Sequence, residues 1–166
     1  MLKLRKNKKG FTLVELIVVI AIMAVLAGTV AGVTVSQLNK QTNNSGATQA
    51  KLIADYVIQE IGANLDEITE TVTKGTGTNA TLVTAFKSTT DSFVILDNIK
   101  ANMKNDKFKW GDGKGEINVE VIASDTSDAG KDIKDTVKIT YVAKGNGKNT
   151  VYTVTADGQL TGPTES

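Results

Sequence analysis

The feature that most constrains this chain is an apolar run near its N-terminus, from Phe11 to Val35, whose one charged residue is Glu15. As a helix rising about 1.5 Å per residue, the run would be roughly 37 Å long. That length crosses a hydrocarbon core of about 30 Å with some tilt. Because the run is apolar on all sides, it is not a surface helix of a soluble domain. The sequence therefore predicts a membrane-embedded helix.

A short basic segment precedes the apolar run. Its positive charges are Lys3, Arg5, Lys6, Lys8 and Lys9, with no acidic residue among the first ten. The rest of the chain, which holds all 18 acidic residues, is net acidic. A basic segment beside an apolar helix marks the cytoplasmic side of a membrane. No aromatic residue is interleaved with these charges, so there is no specific nucleic-acid signal.

The composition limits the chemistry that the chain can perform. It contains no cysteine, so it forms no disulfide and has no thiolate nucleophile. It contains no histidine, which removes the usual general base at neutral pH and the commonest metal ligand. No glycine-rich segment has the phosphate-binding GKS or GKT form. We therefore predict a protein that is not an enzyme and needs no cofactor.

Three interpretations fit the basic segment and the apolar run. A secretory signal peptide could be cleaved after the small residues at 25–27 or 29–31, but the run exceeds the usual length of about 7–15 apolar residues. A plain single-pass anchor would keep its basic segment and hold Glu15 as an interfacial acid. In the third interpretation, the basic segment alone is removed and the apolar helix stays.

A resemblance favours the third interpretation. The segment KGFTLVEL at 9–16 resembles the prepilin-peptidase site of type IV pilins and their pseudopilin relatives. The resemblance implies cleavage after Gly10 on the cytoplasmic side, N-methylation of the new N-terminal Phe11, and a filament-assembly role for Glu15. It is specific because a basic leader, a glycine, a phenylalanine, a glutamate and an apolar helix must all coincide.

The position of Glu15 also has a physical explanation. After cleavage its carboxylate would lie in the first helical turn, at the positive end of the helix dipole. It is four residues from the free amine of Phe11, so it can pair with that amine in its own chain or in a neighbouring one. A charge in lipid costs at least about 2.5–3.5 kcal/mol, which makes a neutralising partner strongly attractive. The resemblance implies the pairing between chains; the alternative is a side chain that only reaches the membrane interface.

Two glycines, Gly28 and Gly32, stand four residues apart in the apolar run. Many bacterial relatives of the resembled family have a proline near this point, where the helix locally unwinds in the assembled fibre. Glycine weakens a helix by about 1 kcal/mol relative to alanine, which permits such local melting. A small-residue face for close helix packing is the other interpretation. The sequence does not decide between them.

An amphipathic pattern follows the apolar run and predicts that one helix covers 11–70. Its apolar residues recur at steps of three or four and form a face for a sheet: Ala50, Ile53, Val57, Ile61, Leu65, Ile68 and Val72. Asn43, Asn44 and Gly46 are candidates for a bend or a break. We expect a loop at 73–80. Residues 81–86 are ambiguous between helix and strand.

At 91–103 the sequence favours a short helix over a strand, with Asp91 as a candidate cap. The residues expected on one side of that helix are Val94, Leu96, Ile99 and Met103. A tight turn is expected at 110–115. Three β-rich stretches follow, at 117–121, 136–141 and 150–156, and Asn146-Gly147 between the last two is a hairpin signal.

These elements predict an α+β fold in which a long N-terminal helix, membrane-embedded in its first half, packs on a C-terminal three- to four-stranded antiparallel sheet. The expected segments are a leader at 1–10 that is removed, a transmembrane or filament-core helix at 11–35, its amphipathic continuation at 36–72, and a globular domain at 73–166. The type IV pilin resemblance implies the same architecture. Many Gram-negative members of the resembled family close the C-terminal region with a disulfide, which this cysteine-free chain cannot form. This departure, together with the Lys- and Asn-rich composition, suggests a Gram-positive source.

Two acidic stretches are candidates for calcium binding, since hard cations need several converging oxygen ligands. They carry Asp112 and Glu116 at 111–116, and Asp125, Asp128, Asp132 and Asp135 at 124–135. Two acids are too few, and Lys131 and Lys134 lie among the others. The sequence favours solvated loops and no metal site.

We interpret the chain as a type IV pilin-like subunit that begins as a single-pass precursor in the cytoplasmic membrane and ends in a homopolymeric surface filament for adhesion, motility or aggregation. The implied partners are copies of itself, the prepilin peptidase, the pilus assembly machinery and the membrane. One alternative is a pseudopilin of a secretion or DNA-uptake apparatus. An alternative from another class is a membrane-anchored, monomeric extracytoplasmic binding domain that keeps its leader.

Overall fold

The computed structural model describes residues 10–75, 78, 80–103, 108–123 and 133–166, with Ala31 described by its backbone alone. The chain divides into two compact units, Met1–Leu38 and Asn39–Ser166. The elements in chain order are α1 (Leu13–Ile68), β1 (Thr69–Lys74), β2 (Thr81–Phe86), α2 (Val94–Asn102), β3 (Ile117–Ile122), β4 (Thr136–Tyr141), β5 (Thr150–Thr155) and β6 (Leu160–Glu165). The architecture is α+β, as the sequence predicts.

The first unit contains the beginning of α1. Its apolar side chains are exposed to the surroundings: this holds for each one that the structure describes from Phe11 to Val35. The hydroxyls of Thr29 and Thr34 donate to the carbonyl oxygens of Leu26 (3.0 Å) and Val30 (2.8 Å). Such bonds satisfy a hydroxyl without water, which suits a helix in lipid. Among the described residues, α1 is the helix whose length and composition allow it to cross a membrane.

The second unit is built around the later part of α1. One face of this helix is completely buried at Ala50, Ile53, Ala54 and Val57, and nearly so at Ile61. These side chains belong to one cluster with residues of α2 and of the sheet strands β3, β4 and β5. The predicted apolar stripe is therefore confirmed over these turns, and it forms the core together with the sheet.

Asn43, Asn44 and Gly46 keep helical backbone geometry within α1, so the expectation of a break there was wrong. The Asn43 side chain bonds to the backbone of Lys144 in the β4–β5 connection. Its Oδ1 accepts from the N–H of Lys144 (2.8 Å) and its Nδ2 donates to the Lys144 carbonyl (3.2 Å). The Tyr141 hydroxyl donates to the same Oδ1 at 3.2 Å. Burial raises the pKa of Tyr141, which keeps this hydroxyl a donor. These residues attach the helix to the sheet.

Gly46 permits the close approach between helix and sheet. It is buried, and a Cβ built on it would overlap the ring of Tyr141, which is itself only 2% exposed. A second glycine on the same helix, Gly62, is exposed and has no atom within 4 Å of such a Cβ. The two positions therefore give a matched pair for testing this contact.

We expect Gly46→Ala to lower the free energy of unfolding by about 1–2 kcal/mol, because overpacking costs about 1–3 kcal/mol and the better helix propensity of alanine returns up to about 1 kcal/mol. Gly62→Ala is expected to raise it by up to about 1 kcal/mol. Urea unfolding of the full chain in micelles, followed by the fluorescence of Trp110, measures both. Equal shifts in the same direction would contradict the close contact with Tyr141.

The end of α1 differs from the prediction. Asn64 departs from helical geometry (φ −132°, ψ 36°), and the helix ends at Ile68, so Val72 lies in a strand. After this kink the side chains no longer follow the regular helical spacing, so Leu65 is 46% exposed whereas Ile68 is buried. The stretch TETVTK after the helix is rich in β-branched residues and forms β1, which pairs antiparallel with β2. The loop expected from residue 73 therefore begins later.

Helix α2 confirms the favoured assignment at 91–103. Its N-cap is Phe93, which makes no side-chain capping bond, so the expectation for Asp91 was wrong. The helix buries Ile95 and Ile99, and the other expected inner residues, Val94, Leu96 and Met103, are partly buried against the same core; Ile95 is the buried residue that the sequence pattern left out. The expected turn at 110–115 is present, and a parallel bridge joins Trp110 to Ile117.

Strands β3 to β6 form an antiparallel sheet in the order β3-β4-β5-β6. Its inner face comes from alternate positions, and the register places Val137 opposite Val154, and Ile139 opposite Tyr152. The three predicted strands are confirmed, and β6 is the fourth, an exposed edge strand. The hairpin between β4 and β5 turns at Lys144–Gly147, with Gly145 at φ +67°, so the turn centres on Gly145-Asn146 rather than on Asn146-Gly147.

Candidate processing and assembly site

The segment around the expected cleavage point is exposed and non-helical. Gly10 and Phe11 precede α1, and the Phe11 side chain is 91% exposed. No atom lies within 4 Å of a Cβ built on Gly10. A peptidase could therefore reach the Gly10–Phe11 bond without unfolding the helix. The basic residues at 3–9 lie outside the described residues.

The helix begins with a capping box, formed by Thr12 and Glu15. The N–H and the hydroxyl of Thr12 both donate to Glu15 Oε2 at 2.8 Å, and the N–H of Glu15 donates to the Thr12 hydroxyl at 3.3 Å. The Thr12 carbonyl accepts the first helical bond, from the N–H of Leu16 at 3.2 Å. This arrangement satisfies donors that the first turn would otherwise leave unpaired.

Sequence reasoning missed this cap, although its signal is present. A threonine followed three residues later by a glutamate, directly before an apolar run, is the pattern of a capping box. Thr12 and Glu15 match it. The carboxylate of Glu15 thus has a partner within its own chain, and its pairing with the amine of Phe11 or of a neighbouring chain stays a prediction.

The two glycines of the apolar run are helical in this structure. Gly28 and Gly32 lie within α1, both are exposed, and no atom comes within 4 Å of a Cβ at either position. Each therefore leaves room on the helix surface for another helix to approach. Their roles in local melting or in packing stay predictions.

The candidate calcium ligands do not converge where the structure describes them. Asp112 is exposed, and the Glu116 carboxylate accepts a bond from the N–H of Gly113 at 3.0 Å. Over the described residues there is no group of three or more acidic side chains that could hold a metal ion. Asp125, Asp128 and Asp132 lie outside the described residues. Asp135 lies just before β4 and its carboxylate accepts from the Thr136 hydroxyl at 3.1 Å.

Comparison with protein families identifies the N-terminal segment. The family described as the prokaryotic N-terminal methylation motif matches residues 5–31. The match supports a class III signal peptide like those of type IV pilins at these residues. Neither a curated protein nor a solved structure matches this chain.

The match explains the features of the pilin-like N-terminus together. It covers the end of the basic segment, Gly10, Phe11, the capping box and most of the apolar run. The motif is structural rather than enzymatic, and it implies processing by a prepilin peptidase in the context of pilus assembly. It fits a precursor anchored in the membrane that later becomes part of a surface filament. The Gram-positive source stays a prediction.

Proposed function

We propose that this pilin-like chain is a structural subunit of a type IV pilus, polymerised through its N-terminal helix. The carrying observation is the contrast between the two units. The methylation motif leads into an apolar helical segment whose described side chains are all exposed, whereas the core of the second unit uses no residue before Ala50. Polymerisation would cover these exposed apolar side chains with those of neighbouring subunits.

The hydrophobic effect explains why this segment must be covered at every stage. Phe11, Leu13, Val14 and Leu16 are between 62% and 91% exposed, and the other large apolar side chains described from Ile17 to Leu38 are between 49% and 68% exposed. Full burial of each such side chain away from water is favourable by about 1.5–3 kcal/mol of free energy. Lipid covers the segment in the precursor, and the helices of neighbouring subunits cover it in a filament.

The expected roles of the N-terminal residues follow from this proposal. Gly10 ends the leader, Phe11 becomes the methylated N-terminus, and Glu15 attracts the amine of a neighbouring subunit. Gly28 and Gly32 allow close packing or local melting in the filament core. The second unit, with its exposed edge strand β6, would form the filament surface used in adhesion, motility or aggregation.

We expect the mature chain to begin at Phe11 and to carry an N-methyl group, because the cut must separate the basic leader from the apolar helix. Intact mass of protein sheared from the cell surface measures this directly. A chain that retains the lysines at 3–9 would instead be a membrane-anchored monomer. A chain that begins near Ala27 would be a secretory product.

Electron microscopy of the sheared material tests polymerisation itself. Long filaments with this subunit mass support a pilus. Filaments confined to the envelope that extend only on overproduction would favour the pseudopilin alternative. Processed protein found only in the membrane fraction would contradict the proposed function.

A further inference from the structure

A small cavity lies between α1 and the sheet within the second unit. It has a volume of about 160 Å³. Its helix side presents Thr42, Ser45, Gly46 and Gln49, and its other walls are formed by Lys109, Gly115, Tyr141 and Lys144. The wall is therefore rich in hydroxyl, amide and ammonium groups, which donate hydrogen bonds to anions.

The described lining of this cavity is positively charged. Two lysines, Lys109 and Lys144, line it, and none of the acidic residues that the structure describes does so. Neither lysine forms an ion pair with a residue that the structure describes, whereas Lys51, Lys138 and Lys148 do so with carboxylates elsewhere on the unit. Two ammonium groups on one cavity favour an anionic occupant that can accept several hydrogen bonds.

The backbone of Lys144 is held in place by the helix. Both of its backbone groups bond to the Asn43 side chain, at 2.8 Å and 3.2 Å. Its aliphatic stem crosses Gly115, where a Cβ would lie 3.3 Å from Lys144 Cδ. Gly115 has φ +85°, a conformation suited to glycine. The cavity is thus partly organised before any anion binds, which lowers the entropic cost of binding.

The position of the cavity along the chain suggests which anion is near. Thr42 follows the last residue of the apolar run, Val35, by seven positions, and seven residues span at most about 25 Å. The basic leader places the start of the helix on the cytoplasmic side, so Thr42 emerges at the outer membrane surface. Lipid headgroups present phosphates within that distance of the hydrocarbon core.

We propose that this cavity binds the phosphate of an anionic lipid headgroup while the subunit is anchored in the membrane, before assembly. The proposal rests on the membrane-anchored precursor stage of the proposed function. Lys109 and Lys144 neutralise the phosphate, and the hydroxyl of Ser45 and the amide of Gln49 supply further hydrogen bonds. Leaving the membrane for a filament then requires release of the headgroup.

The test uses the full chain in maltoside micelles, in phosphate-free buffer, with phosphatidylglycerol added as an increasing fraction. Amide NMR signals of Ser45, Gly115 and Lys144 report on the cavity itself, so binding of lipid by the basic leader does not obscure the result. We expect these signals to shift and saturate. Replacing both lysines, as Lys109→Gln with Lys144→Gln, should weaken the apparent affinity at least tenfold, since each charge-assisted hydrogen bond from an ammonium group to the phosphate contributes about tenfold.

The control is Lys114→Gln, which removes one charge from an exposed lysine beside Gly115 that does not line the cavity, and it is compared with the single variants Lys109→Gln and Lys144→Gln. It should bind like the parent chain. Equal weakening by Lys114→Gln, or an undiminished response in the double variant, would show diffuse electrostatic attraction and overturn the site. Saturation by inorganic phosphate or by glutamate at the same midpoint would overturn the lipid assignment.

These outcomes are independent of polymerisation. A chain that binds phosphatidylglycerol in the cavity but never forms filaments would retain the site and contradict the pilus proposal. If the chain forms filaments but no anion shifts the NMR signals of the cavity residues, the result would contradict the proposed binding site and leave the pilus proposal intact.

Discussion

Glu15→Ala is expected to leave the chain inserted and processed but to remove it from surface filaments when it is the sole copy. Insertion should survive because alanine is less costly in lipid than glutamate. Processing should survive if the peptidase reads mainly Gly10 and the basic leader. Assembly should fail because the amine of the incoming Phe11 would stay unpaired in a low-dielectric core. Removing one partner of such a pair costs about 3–5 kcal/mol, more than a hundredfold in an equilibrium constant.

Glu15→Gln separates this role from helix capping. The carboxylate of Glu15 accepts two bonds from Thr12, and glutamine can take the same place in a capping box. The substitution therefore keeps the cap and removes the charge. If the charge attracts the neighbouring amine, Glu15→Gln should fail to assemble as completely as Glu15→Ala. Normal filaments from Glu15→Gln alone would assign Glu15 to capping.

Thr12→Ala is the matched control, because it removes the partner of the cap and keeps the carboxylate. Loss of an N-cap costs about 1 kcal/mol, so its filaments should be reduced only slightly. Immunoblots of membrane and sheared-surface fractions, with the intact mass of each chain, measure insertion, processing and assembly separately. Abundant filaments from both Glu15 variants would show that Glu15 is not the assembly residue.

Deleting residues 1–35 is expected to convert the membrane-bound chain into a soluble, folded monomer with mixed helix and sheet. The buried hydrophobic cluster begins at Ala50 and includes α1, α2 and the sheet. The described side chains at 10–35 are exposed and contribute nothing to that cluster. Removing them therefore removes the cause of membrane binding without opening the core.

A longer deletion, of residues 1–49, provides the comparison. It also removes Asn43 and Gly46, and with them the bonds to Lys144 and Tyr141. Since each net hydrogen bond contributes about 1 kcal/mol, this product should be less stable than the first by roughly 2–3 kcal/mol. Far-UV circular dichroism, sedimentation and urea unfolding measure both products. An unfolded or purely helical first product would contradict the observed division of the chain into two units.

Local patterns in the sequence determined a large part of this protein. The apolar run from Phe11 to Val35 can only be covered by lipid or by other apolar helices. Its location in a membrane or a helical core is therefore predicted without knowledge of the rest of the fold. Alternation at period two identified β3, β4 and β5, because each strand has one face in the core and one outside. Thr12 and Glu15 cap the helix through bonds between residues three positions apart, so this cap was also readable.

Tertiary contacts decided the remainder. Asn43 and Gly46 look like helix breakers in isolation, but both are helical in the folded chain, where their neighbours lie about a hundred residues away: Asn43 bonds to the backbone of Lys144, and Gly46 lies against the ring of Tyr141. The kink at Asn64 ends the apolar stripe of the helix earlier than predicted. Val72, which the sequence pattern assigned to that stripe, lies in β1 because β1 pairs with β2. Strand β6 contains Gly162 and Pro163 and has no apolar alternation, so it exists through its pairing with β5. Partners this far apart in sequence leave no local periodicity, because their bonds form only when the chain has folded.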